Sequence, residues 1–279
     1  MPVDCRLNIM NLRTIYFSAT GTSKKVALAV SQSIATDFVV EDVTFQSLQN
    51  TTFAADDLLC VAVPVYGGGV APAALKRLEA ISGNNTPVVV VVVYGNRNFE
   101  RAATQMSDFL AERGFFTIAV AAFVGEHSYS TEQNPIAVGR PTVEDINDAK
   151  HFGQSVKQKL SEGLNSVDVA MLQCPDSGEA NVKAFVEFVK GYQAEQAKNP
   201  VKLLPITDEN RCVMCGVCVD VCPMDAIDRE DVSVVDASKC IKCCACVKEC
   251  PKEAKILNSP FAPMLSKYFA SPKPNVWIL

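Results

Sequence analysis

The stretch PVVVVVVYGNRNF, residues 87–99, decides the fold. Six consecutive valines leave no polar alternation. A strand built from them is buried on both faces, as parallel strands are when helices cover a sheet from both sides. The strand stops in Tyr94-Gly95-Asn96, a loop at its carboxyl end. Working outward, apolar runs at 12–17, 38–43, 58–65 and 115–124 alternate with helical stretches at 23–35, 73–81, 99–113 and 143–162. Five strands with helical crossovers predict a doubly wound α/β domain over residues 11–164, with one five-stranded parallel sheet. Residues 41–57 are the weak point, because no helix is evident there.

Ligands of such sheets bind beyond the carboxyl ends of the strands, so the loops at that edge matter most. After the first strand comes FSATGTSKK, residues 17–25. Ser18, Thr20, Thr22 and Ser23 offer hydroxyls, Gly21 allows close backbone approach, and a helix beginning near Ser23 aims its free N–H groups at the same place. These are the parts of a phosphate-monoester site. The G-x4-G-K-[ST] frame of a Walker loop and the three glycines of a Rossmann fingerprint are missing. The alternative is a Ser/Thr-rich helix cap with no ligand. The third strand ends in PVYGGG (64–69) and the fourth in YGNRNF (94–99), each placing an aromatic, Tyr66 or Tyr94, beside glycine where a planar ring can lie. GEHSYST (125–131) follows the fifth strand, and its His127 is a candidate proton or hydrogen-bond donor. The other reading of His127 is a surface-loop residue without that role. His151, inside a helix, reads as structural.

Beyond residue 164 the strand–helix rhythm is lost. Residues 165–200 form a linker with one helix at 182–197. Of twelve cysteines, nine lie between Cys212 and Cys250, in two runs of one spacing. Cys212-x2-Cys215-x2-Cys218-x3-Cys222-Pro223 is followed by Cys240-x2-Cys243-x2-Cys246-x3-Cys250-Pro251. Thiolates suit iron–sulfur clusters, and a four-iron cluster needs four of them. Three cysteines at x2 spacing face one cluster, while the fourth of each run ligates the other. Cluster I is thus assigned Cys212, Cys215, Cys218 and Cys250, and cluster II Cys240, Cys243, Cys246 and Cys222. Zinc also uses paired CxxC motifs, but it needs neither the third cysteine nor a repeated Cys-Pro. Cys244 breaks the spacing and is read as a small buried residue at the position Gly216 holds in the first run. Residues 259–279 carry four prolines and the only tryptophan. Prolines at that density argue against regular helix or central strand, leaving either a docked tail or a loose terminus.

Residues 201–258 resemble bacterial two-cluster ferredoxins. The loops at 17–25, 64–69 and 94–97 resemble those of flavodoxin-like FMN domains, and the whole chain resembles the flavodoxin–ferredoxin fusion proteins of anaerobic bacteria. This resemblance implies a flavodoxin-like domain over 11–164, a small α+β ferredoxin domain, two [4Fe-4S] clusters and FMN. It also implies that Ser18, Thr20, Gly21, Thr22 and Ser23 bind the FMN phosphate, and that Tyr66, Gly67, Gly68, Tyr94, Gly95 and Asn96 border the isoalloxazine. Flavodoxin loops more often read S-x-T-G-N-T; Thr22 and Ser23 depart from that pattern but keep hydrogen-bonding capacity.

Composition is that of a folding, soluble globular protein. Across 279 residues, 48% apolar and 20% charged content excludes wholesale disorder. A net charge of −5 argues against nucleic acid as a partner. The longest apolar runs, 88–94 and 115–124, fall short of the roughly 18–20 residues of a membrane span. The start MPVDCRLNIMNLR lacks the apolar core of a signal peptide, so a cytoplasmic location is expected. A flavin takes one or two electrons and a cluster one, so their fusion converts between the two kinds of chemistry. The partner is then a redox carrier protein or a small-molecule acceptor. The rival readings are a flavin-dependent reductase fed by its own clusters, and a redox-sensing module.

Overall fold

The computed structural model describes residues 11–279; Cys5 and most of the stretch read for a leader lie outside them. The described residues divide into two compact units, one of residues 11–125, 139–175 and 273–279, the other of Glu126–Val138 and Asp176–Pro272.

In the first unit β1 (Asn11–Tyr16), α1 (Thr22–Ile34), β2 (Val39–Asp42), β3 (Thr51–Phe53), β4 (Asp57–Tyr66) and β5 (Gly69–Val70) are followed by α2 (Pro72–Arg77), β6 (Ile81–Gly83), β7 (Thr86–Tyr94), α3 (Ala102–Ala111), β8 (Phe115–Val124) and α4 (Val143–Glu162). The five long strands run parallel in the order β2-β1-β4-β7-β8. Counted by sequence this is 2-1-3-4-5, the flavodoxin-like doubly wound order. The valine run behaves as its composition demands: all nine residues of β7 are buried. One core cluster packs α1 and α4 (Val26, Val30, Phe152, Val156) against Val89, Val91 and Phe123 of the sheet.

Two details differ from the periodicity reading. No helix joins β2 to β4; β3 there pairs in parallel with β6. The helix expected at 73–81 ends at Arg77, and the chain from Ile81 is drawn into that small ladder, whose backbone bonds outweigh helical continuation.

The C-terminal segment is a docked tail. β11 (Val276–Ile278) adds to the sheet antiparallel to β8 at its edge, and Trp277 stacks on Phe123 with ring centroids 6.5 Å apart. Asn275 ties it down. Its Oδ1 accepts from the Val124 amide at 3.0 Å, and its Nδ2 donates to Asp145 at 2.9 Å and Asp148 at 2.8 Å. Asp145 also accepts from Arg140 Nε at 2.8 Å and completes the capping box of α4 with Thr142.

The second unit contains α5 (Glu179–Lys198), β9 (Ile206–Thr207), α6 (Val217–Asp220), α7 (Ala245–Lys248), β10 (Lys255–Ile256) and α8 (Phe261–Tyr268). Phe185 and Phe188 of α5 pack on Phe261, Leu265 and Phe269, with Ile136 buried among them. Residues 126–138, expected in the front domain, thus belong to this unit's apolar core. The prolines did not forbid a helix: Pro260 caps α8 and Pro263 stands in its first turn, where an amide N–H has no helical partner to lose. β9 and β10 pair antiparallel, and Ile227 bridges Val235. No helix among the described residues is long and apolar enough to cross a membrane.

Candidate functional site

The two cysteine runs fold as near copies. Cys212 and Cys240 donate their amides to the carbonyls of Asp208 and Asp236, at 2.9 and 3.0 Å. Ala226 and Ala254 donate to the sulfurs of Cys222 and Cys250, at 3.3 and 3.2 Å. Gly216 and Cys244 are the left-handed caps of α6 and α7, with φ of 78° and 63°. This correspondence pairs Ile227 with Lys255, so the apolar stretch read at 256–257 does not reproduce that at 226–227 in register.

Cys212, Cys215, Cys218 and Cys250 line one hollow. Cys222, Cys240, Cys243 and Cys246 line a second. Each run therefore contributes three thiols to one hollow and its last to the other. No group of three or more His, Cys, Asp or Glu side chains among the described residues is placed to hold a metal ion; the thiols instead surround space, an arrangement that fits a multi-iron cluster held from its corners. Burial pushes the Cys243 thiol up to about 11 and Cys246 to about 12. At Cys250 burial also acts upward, but backbone N–H groups of Lys252, Ala254 and Lys255 outweigh it and lower the thiol. Cys244 stands in the wall of the second hollow, buried, with its thiol directed to the Lys242 carbonyl at 3.7 Å. Burial and the neighbouring Cys243 raise its pKa.

At the carboxyl edge of the first unit's sheet, Gly21 adopts φ 78° and caps α1 without any side-chain cap bond. Space around it is open: a Cβ there would meet nothing within 4 Å. Ser18 shapes the loop from both ends. Its amide donates to Thr44 Oγ1 at 2.9 Å and its Oγ accepts from the Lys24 amide at 3.0 Å. Ser18, Thr20 and Thr22 are partly exposed and Ser23 is buried. Thr44 is a loop-shaping residue that the sequence reading missed; nothing in its local pattern marked it.

The ring-bordering loops divide. Tyr66 is half-buried and Gly67 exposed at the end of β4, while Gly68 is buried against the Glu100 carboxylate. Tyr94 and Asn96 do not stand at an open edge. Tyr94 is 2% exposed and meets Phe99 edge-on at 5.4 Å. Asn96 is buried, and its Oδ1 accepts from the Lys273 amide at 3.2 Å, while Lys273 Nζ donates to the Arg97 carbonyl at 2.5 Å. The C-terminal tail has taken this loop, which is the physical reason for the departure. Gly95 remains partly exposed. His127 lies in the second unit. Its Nδ1 accepts from the Tyr129 amide at 3.0 Å, which leaves the ring proton of the neutral form on Nε2.

Comparison with known proteins bears first on the cysteines. Residues 204–251 match the family model described as a 4Fe-4S dicluster domain, so the second unit carries such a domain. Curated relatives include a subunit of the ion-translocating oxidoreductase complex of Azoarcus sp. (strain BH72), 35% identical over 25% of this chain and 38% of the relative. The same component of that complex from Thiobacillus denitrificans is 25% identical over 39% of this chain and 62% of the relative. The chain thus spans less than two thirds of either relative. Among solved structures, a flavodoxin from the domain Archaea aligns over 54% of this chain and 99% of its own, at 15% identity and TM-score 0.39. Flavodoxin 2 from Bacillus cereus aligns over 53% and 98%, at 17% identity and TM-score 0.40. The flavodoxin-like assignment of the first unit rests on its strand order.

Proposed function

We infer that this chain is an electron-transfer flavo-iron–sulfur protein, passing electrons between two [4Fe-4S] clusters and FMN. The observation that carries this reading is the gathering of thiols about two hollows, four around the first and the four of matching spacing, with Cys244 beside them, around the second, on a chain that also holds a flavodoxin-like sheet. Cluster I falls to Cys212, Cys215, Cys218 and Cys250, and cluster II to Cys222, Cys240, Cys243 and Cys246. FMN suits the first unit through the open Ser18–Ser23 loop, where the Thr22 and Ser23 amides at the start of α1 and the loop hydroxyls would hold the phosphate dianion, the Lys24 amide already donating to Ser18 Oγ. Tyr66, Gly67 and Gly95 would flank the ring. FMN held there would supply both one- and two-electron redox chemistry.

The test begins with anaerobic purification and analysis of iron, sulfide and flavin, with two clusters and one FMN expected. Zinc without acid-labile sulfide overturns the cluster assignment. Stopped-flow reduction by a ferredoxin-level donor then compares the protein with Cys243→Ala. Flavin reduction at equal rates in both would show that the clusters do not feed it.

One feature favours the second reading, reduction of a small organic acceptor. In the second unit an open cleft of about 670 Å³ is walled by Tyr129, Tyr192, Phe261, Lys202 and Lys242, and Lys242 also lines the hollow of cluster II. Turnover with a soluble quinone-like acceptor, and none with carrier proteins, would favour it.

A further inference from the structure

The two hollows are near copies with one charged exception. Ile227 lines the hollow of the second thiol set, and Lys255, its counterpart five residues beyond the last cysteine of a run, lines that of the first. Ile227 is 6% exposed and joins the small apolar cluster with Val232 and Cys246. Lys255 is 2% exposed, and its Nζ donates to the Val232 carbonyl. A carbonyl does not neutralise an ammonium group, and burying a cation without a counter-ion is costly. No ion pair of Lys255 is found among the described residues; the negative groups its field reaches are the Asp231 carboxylate, exposed beside Val232, and the thiols of the first hollow, in whose wall it is buried. The other cations in the walls balance, since each hollow has one exposed lysine, Lys252 in the first and Lys242 in the second.

We propose that Lys255 makes cluster I the easier of the two to reduce, so that the pair forms an ordered couple rather than two equivalent stations. The inference rests on the two-cluster reading above. Reduction adds one negative charge to a cluster already surrounded by four thiolates, and a fixed buried cation stabilises the more negative state; net charge is among the factors that set cluster potentials. With both clusters bound, an electron on cluster II would pass downhill to cluster I, oxidising the one and reducing the other. The field of Lys255 also reaches Cys240 and Cys246, but only the first hollow has it in its wall. Greater exposure of Cys215 acts in the same direction, so the charge must be tested by substitution.

The experiment is an EPR-monitored redox titration of the full chain, purified anaerobically, with dithionite supplying the electrons. The wild type should show two midpoints. Lys255→Met should lower the higher one by a tenfold change in equilibrium, 59 mV for one electron, and Lys255→Arg should retain it. Ile227→Lys should raise the lower midpoint by a similar factor, which keeps the test decisive if Lys255→Met fails to fold. Unmoved midpoints in loaded Lys255→Met or Ile227→Lys protein would overturn the role of Lys255 alone. Wild-type protein without iron and sulfide would overturn the two-cluster reading, and this inference with it.

Discussion

The two units hold themselves together by different means. In the first, β7 is buried along its whole length and packs with Phe123, Phe152 and the inner face of α1, so side chains supply one another's environment. Apolar burial of this kind stabilises by about 1.5–3 kcal/mol for each large side chain. In the cluster region of the second, the apolar residues are few. Ile227, Val232 and their neighbours form a thin layer beside two thiol-lined hollows. One fold is closed by its own carbon, and the other leaves spaces that metal must fill.

Iron removal should break the comparison open most widely. Chelation under reducing conditions should unfold the cluster region and leave the first unit's transition in place, because site formation and folding are one free energy there. Calorimetry checks this through two transitions becoming one. Cys215→Ser should lose the first cluster in the same assay, with about half the iron retained.

Within the first unit, the sharpest loss should come from Asp145, which joins Arg140, Thr142 and Asn275. Asp145→Ala takes from the half-buried Arg140 its carboxylate partner and should cost about 1.5–3 kcal/mol. The sole tryptophan, Trp277, sits on the strand this network anchors, so its fluorescence reports the transition. Burial acts to raise the Asp145 carboxyl, but its bonds from Arg140, Thr142 and Asn275 prevail and hold it below the ordinary aspartate value. A depressed carboxylate stabilises the fold above its unfolded pKa and loses that contribution as pH falls through the folded value. Urea midpoints of the wild type should therefore drop below about pH 4, and those of Asp145→Asn should change less over that window.

A smaller effect separates the two cysteine runs. Cys244 holds φ 63°, where Gly216 holds 78° in the other run. Cys244→Gly should relieve that backbone and stabilise by up to about 1 kcal/mol, with iron content unchanged. A fall in iron would instead make Cys244 a ligand.

The five-stranded parallel sheet, the cysteine partition and the open loop at Ser18–Ser23 were all legible in local pattern. Unbroken valine signals a strand buried on both faces, the x2 and x3 spacings limit which thiols can reach one cluster, and a glycine among hydroxyls marks a turn into a helix. Such signals are carried by residues within a few positions of each other. What escaped the reading depended on residues far apart in the chain. Lys273 closes on Asn96 and Arg97 and buries a loop that looks open in sequence. Ile136 leaves the front domain for the aromatic core around Phe185. Proline content hid α8 and left a docked tail and a loose terminus as equal alternatives, since proline reports a missing donor and says nothing of the partner strand awaiting the residues beyond it. Lys255 is the intermediate case. Aligning the two runs exposes its mismatch with Ile227, but only the tertiary structure shows that this lysine is buried in the wall of one hollow. Charge acts through space, and its consequence is set by what the fold places around it.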